Sequence, residues 1–185
     1  MCLMKWIAKS CKMADATFIF ESNFSVQVST LKETSFDNKN SIYLCQDESQ
    51  LVYDFDKIVK EQYPTKQPAS YDALLIDGEK VYCIEFKNQK YSEIDREQIT
   101  KKLTNGKTVL EEIFSDNSVN KREYKFIYCV VYKDGVARWR RGIEKNEVQF
   151  GLERYKGEYF DEIYTNDVQW FTHEYKKHFK KELAC

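Results

Sequence analysis

Two apolar runs joined by a turn constrain this chain more than any other feature. Residues 71–76 and 81–86 flank Asp77-Gly78-Glu79-Lys80, and a Gly-containing turn between apolar runs is a β-hairpin signal. Side chains alternate across a strand, so Val81, Cys83, Glu85 and Lys87 point one way, and Tyr82, Ile84 and Phe86 the other. If Gly78-Glu79 forms the loop, or all of residues 77–80, Ile76 pairs with Val81 and Asp72 with Glu85. If the loop is Asp77-Gly78, Asp72 pairs with Cys83 and lies diagonal to Glu85. Each choice puts Asp72, Glu85 and Lys87 on one face; a three-residue loop would break that parity. A hairpin apolar on both faces needs cover on both, which implies a layered α/β fold.

The rest of the chain supplies that cover. Residues 47–63 read as a helix, because Leu51, Val52, Phe55, Ile58 and Val59 recur at helical spacing, and Pro64 and Pro68 end it. A long helix is expected over residues 93–114, striped by Ile99, Leu103, Leu110, Ile113 and Phe114. Gly106 falls on that stripe, which points to close packing there. Residues 125–132 form an apolar strand, with a further strand at 160–164 and a final helix at 167–179. Residues 1–46 look strand-rich: Phe18 and Phe20 alternate, then Phe24, Val26 and Val28.

The chain has 185 residues, which suits one domain with a sizeable core. Only 6 Gly and 2 Pro argue against long linkers. A net charge of −1 excludes a protein that coats nucleic acid indiscriminately. It is compatible with acids gathered at a metal and offset by a local basic patch. The 6 Cys include no C-x-x-C pair, and with 2 His a structural zinc site is not expected. No signal-peptide core or membrane-spanning run is visible. The expectation is a cytoplasmic or nuclear protein with reduced cysteines and no membrane association.

Two opposed carboxylates on a strand pair repel, so Asp72 and Glu85 need a cationic partner. Lys87 is one; a divalent ion is another, since Mg²⁺ prefers one or two carboxylates with several waters retained. Glu48 sits where the apolar stripe of helix 47–63 should continue. It either complements the helix N-terminus or serves as a third acid.

Over residues 47–132 this order of elements, with Asp72 on one strand, Glu85-Phe86-Lys87 on the next and Gln98 on the following helix, resembles the PD-(D/E)xK nuclease superfamily. Tyr71 stands where the family name places Pro. The resemblance implies a restriction-endonuclease-like mixed sheet flanked by helices, with residues 1–46 as a strand-rich extension of a single domain, 1–185. It implies a Mg²⁺- or Mn²⁺-dependent nuclease acting on DNA, with RNA as second choice. Asp72, Glu85 and the Phe86 carbonyl would hold the metal, joined by Glu48. Lys87 would activate the attacking water, and Gln98 and Gln89 would be auxiliary polar groups.

Arg138-Trp139-Arg140-Arg141 combines phosphate-pairing and base-stacking chemistry and is the expected nucleic-acid contact. The last helix adds Lys176, Lys177, Lys180 and Lys181 beside Trp170, Phe171 and Phe179, although a C-terminal Lys run also suits a solvated helix end. The alternative function is a non-catalytic module of nuclease fold that binds nucleic acid or a protein partner. A homodimer is compatible with either reading.

Overall fold

The computed structural model describes residues 14–134 and 147–185. Its elements run α1 (Ala16–Asn23), β1 (Val28–Thr30), α2 (Leu31–Thr34), β2 (Phe36–Asp37), β3 (Ile42–Tyr43), β4 (Leu51–Asp54) and α3 (Phe55–Gln62). They continue with β5 (Ala73–Asp77), β6 (Lys80–Lys90), α4 (Arg96–Asp116), β7 (Lys125–Asp134), β8 (Glu162–Asp167) and α5 (Val168–Phe179). Among the described residues a six-stranded sheet has the order β1-β4-β5-β6-β7-β8, and β2 and β3 form a separate hairpin. Strands β1, β4, β5 and β6 pair antiparallel, whereas β6, β7 and β8 pair parallel. The fold is therefore mixed α/β with helices flanking the sheet.

The central hairpin takes one of the expected registers. Ile76 pairs with Val81 and Asp77 with Lys80, leaving Gly78-Glu79 as the loop, with Gly78 at φ 55°, where glycine carries no Cβ penalty. Residues alternate between two cores. Leu74, Val81 and Cys83 join Phe55, Leu103 and Leu110 on the α3/α4 side. Ala73, Ile84 and Phe86 join Val52, Phe171 and Tyr175 on the α5 side. Each large apolar side chain fully withdrawn from water contributes about 1.5–3 kcal/mol.

Two expected elements change. The helix expected over 47–63 is a strand followed by a helix. Asp54 marks the switch, because its carboxylate accepts the Lys57 N–H at 3.0 Å and caps α3. The stripe that suggested one helix is two patterns in series: Val52 faces the α5-side core, and Phe55, Ile58 and Val59 the other. At the N-terminus, the alternation of Phe18 and Phe20 belongs to a helix. Asp15 caps α1, Ala16 and Phe20 are buried four residues apart, and Phe18 is exposed.

Cys45 and Cys185 form a disulfide across 140 residues of sequence, against the expectation of reduced cysteines. The pairing is tertiary, and no local spacing signals it. The tail is drawn in by Leu183, which is buried, and by hydrogen bonds from Gln46 N–H to the Ala184 carbonyl at 2.8 Å and from Ala184 N–H to Asp47 at 3.0 Å. Cys83 and Cys129 are free and buried. No described helix is long and apolar enough to cross a membrane.

Candidate active site

The site lies where the β5–β6 hairpin meets α4. Asp72 precedes β5, and its backbone is held on both sides. Its N–H donates to Ile84 O at 3.0 Å, and its carbonyl accepts from Phe55 N–H at 3.1 Å. Its side chain accepts the Phe86 N–H at 2.7 Å through Oδ2, so the carboxylate serves as one more rung of the ladder. Glu85, one step beyond the Ala73–Ile84 pair, is fully buried. Two acids at such a position require cations, and the chain supplies them.

Lys102 of α4 donates to Asp72 Oδ1 and to Glu85 Oε2, both at 2.9 Å. Lys87 Nζ lies 2.9 Å from Glu85 Oε1 and donates to Gln98 Oε1 at 2.8 Å. The Lys87–Glu85 contact is an ion pair but falls off a hydrogen-bonding direction, so Glu85 Oε1 has no hydrogen-bond donor. Gln98, Lys102 and Gly106 are spaced four apart and share one face of α4. Gly106 lets the helix sit against Tyr71: a Cβ there would stand 2.6 Å from Tyr71 Cε1. Tyr71 is thus a core residue, stacked on Phe55 at 4.4 Å between ring centroids.

Burial, and after it Glu85, pushes the Asp72 carboxyl up to about 7, and Lys102 and the Phe86 N–H offset this only in part. Burial acts on Lys102 in the opposite sense, but the two carboxylates outweigh it and hold the ammonium protonated. Asp56, in the first turn of α3, is an acid the sequence reading did not select. Much of the residue is exposed, yet its carboxyl accepts a hydrogen bond from Ser70. Enclosure raises its pKa; Ser70 and Lys102 lower it, and Asp72 raises it again. Lys102 was also missed, although its place one turn after Gln98 on the buried side of α4 was available from spacing alone.

Glu48 is not brought to the site. It lies in the turn before β4, its side chain 70% exposed, paired with Lys32. The neighbouring Asp47 organises that turn by accepting from Ser49 N–H at 2.9 Å and Gln50 N–H at 2.7 Å. Gln89 lines a groove of about 350 Å³ next to the site. Asp72, Lys87 and Gln98 line one side of it, and Asp37, Asn38 and Lys39 of the β2–β3 hairpin the other. Arg138, Trp139, Arg140 and Arg141 lie outside the described residues. On α5, Phe171 and Tyr175 are buried, and Phe179 stacks on Tyr175 at 4.4 Å. Its aromatic residues therefore pack on the sheet, and Lys181 is tied to the Ser49 carbonyl at 3.0 Å.

The donor set suits a hard divalent ion. Asp72 and Glu85 present carboxylate oxygens, and Glu85 Oε1 is buried with no hydrogen-bond donor, its neighbour being the ion-paired Lys87 ammonium. A two-carboxylate site with retained waters is the usual arrangement for Mg²⁺. Among the described residues no group of three or more His, Cys, Asp or Glu is assembled to hold an ion. No family model, curated protein or solved structure matches the chain.

Proposed function

We propose that the chain is a metal-dependent nuclease of PD-(D/E)xK type, hydrolysing phosphodiester bonds in DNA. The observation that carries this reading is the convergence of Asp72, Glu85 and Lys87 on one side of the hairpin end, where Asp72 and Lys87 border a polar groove and Glu85 is buried behind it. Asp72 and Glu85 would hold a Mg²⁺ or Mn²⁺ ion, with the Phe86 backbone carbonyl as a third oxygen. When bound, such an ion lowers the pKa of an attacking water and offsets charge on the scissile phosphate.

The chain's own groups have distinct tasks in this reading. Lys87, steadied by Gln98, orients the water and neutralises developing charge on the phosphate. Phe86 N–H fixes the rotamer of Asp72. The groove walls carry amide and ammonium groups (Asn38, Lys39, Asn88 and Gln89), which suit phosphate and base-edge contacts.

The test is incubation with plasmid and single-stranded substrates in Mg²⁺, Mn²⁺ or EDTA, for wild type, Glu85→Gln and Lys87→Ala. Metal-dependent cleavage lost in both variants, with circular dichroism unchanged, supports the reading; cleavage indifferent to both removes this site from it. A second reading has one observation in its favour: both carboxylates are already paired with lysines. In that reading the fold is a binding module without catalysis. It predicts no Mn²⁺ heat in calorimetry alongside tight binding of a nucleic acid or protein partner.

A further inference from the structure

The nuclease reading assigns Lys87 but leaves Lys102 without a role, although Lys102 is the side chain that contacts both acids. Its ammonium reaches both carboxylates at once, 2.9 Å from Asp72 Oδ1 and 2.9 Å from Glu85 Oε2. Lys87 touches only Glu85 and has Gln98 as its other acceptor. The Lys102 side chain is 18% exposed and that of Glu85 0%. The contact is therefore mostly shielded from solvent screening, and its strength exceeds that of a surface ion pair.

A bridging ammonium between two carboxylates satisfies the electrostatic demand that a divalent ion would otherwise meet. It also engages the lone pairs such an ion needs. Two oxygens lie outside the bridge: Asp72 Oδ2, which takes the Phe86 N–H, and buried Glu85 Oε1, which has no hydrogen-bond donor but is ion-paired with Lys87 at 2.9 Å. An incoming ion would share Glu85 Oε1 with Lys87, and full ligation by both carboxylates requires the Lys102 ammonium to leave.

We propose that Lys102 is a built-in counter-ion that occupies the metal position, so that metal loads by displacing it and Lys102 sets the metal affinity of the site. This rests on the metal-binding reading of Asp72 and Glu85. It accounts for two acids set side by side at a shielded position. It also separates the two lysines, Lys102 holding the resting site and Lys87 serving the loaded one. Lys102 stands at the α4 face shared with Gln98, so a short swing along the helix surface moves its ammonium off the carboxylates without unfolding any element.

The test is Mn²⁺ binding by calorimetry on the full chain, for wild type, Lys102→Gln, Lys102→Met and Glu85→Gln. Displacement predicts that both Lys102 variants bind Mn²⁺ about tenfold or more tightly than wild type, the scale of one charge-assisted hydrogen bond no longer broken on loading. Equal or weaker binding in variants that fold, with binding lost in Glu85→Gln, overturns the counter-ion role and leaves the metal site intact. Absence of Glu85-dependent Mn²⁺ binding in every protein overturns the metal reading itself, and this inference with it. A second measurement needs no variant: amine acylation read by mass spectrometry, with and without saturating Mg²⁺. Lys102 should gain reactivity in Mg²⁺ while exposed lysines such as Lys57 do not change. Unchanged Lys102 reactivity, with Mn²⁺ or Mg²⁺ binding demonstrated, refutes displacement.

Discussion

Replacing Gly106 with Ala tests how the site is held from behind. The added Cβ would lie 2.6 Å from Tyr71 Cε1 and 2.7 Å from Cδ1, roughly 1 Å inside ordinary carbon–carbon contact. The ring cannot retreat easily, because Tyr71 is fully buried, stacked on Phe55 and set edge-on to Tyr128 at 6.2 Å. Overpacking of this kind costs about 1–3 kcal/mol. Exchanging Gly for Ala inside a helix returns about 1 kcal/mol. The net expectation is a loss of about 0–2 kcal/mol in urea unfolding, with the slope unchanged. Tyr71 is joined directly to Asp72, so the shift that relieves the clash also moves a carboxylate bonded at 2.9 Å to Lys102. Metal binding should weaken along with stability. A Gly106→Ala protein more stable than wild type, with unaltered Mn²⁺ binding, would refute the argument that α4 is set against Tyr71 by the missing Cβ.

Glu48→Gln should change stability by less than about 0.5 kcal/mol, as for a surface ion pair, because that side chain is 70% exposed. Paired melting curves with and without Mn²⁺ should show the same metal-induced shift as wild type. The Asp72 carboxyl, pushed up to about 7, keeps its proton in the folded chain after the unfolded chain has lost it near pH 4. Its contribution to metal-free stability therefore falls as pH rises from about 4 through about 7; melting temperatures across that range should decline more steeply in wild type than in Asp72→Asn. Metal binding needs the ionised form, so Mn²⁺ affinity should rise over the same interval. Cys185→Ser opens a 140-residue separation and should cost about 2–4 kcal/mol relative to the oxidised protein, a difference that vanishes when both are measured in reductant.

The hairpin and the shared face of Asp72, Glu85 and Lys87 were determined by sequence alone, because strand alternation is strict and every even-numbered loop weighed keeps the parity; which residues form the loop was decided by the pairing of Asp77 with Lys80. The spans of the long helix, the apolar strand after it and the final helix were legible for the same reason: each is a long, periodic segment whose buried face is written in its own residues. Short segments were not. Residues 47–63 carry an apolar series that suits one helix or a strand plus a helix, and only pairing of β4 with β1 and capping by Asp54 decided between them. That decision moved Glu48 into an exposed turn. Phe18 and Phe20 fit a strand until packing buried Ala16 with Phe20. Lys102, Asp56 and the Cys45–Cys185 bond depend on contacts between elements distant in sequence. Local spacing could indicate which face of α4 Lys102 occupies, but only the approach of that helix to the hairpin, permitted by Gly106 against Tyr71, brought its ammonium onto both carboxylates.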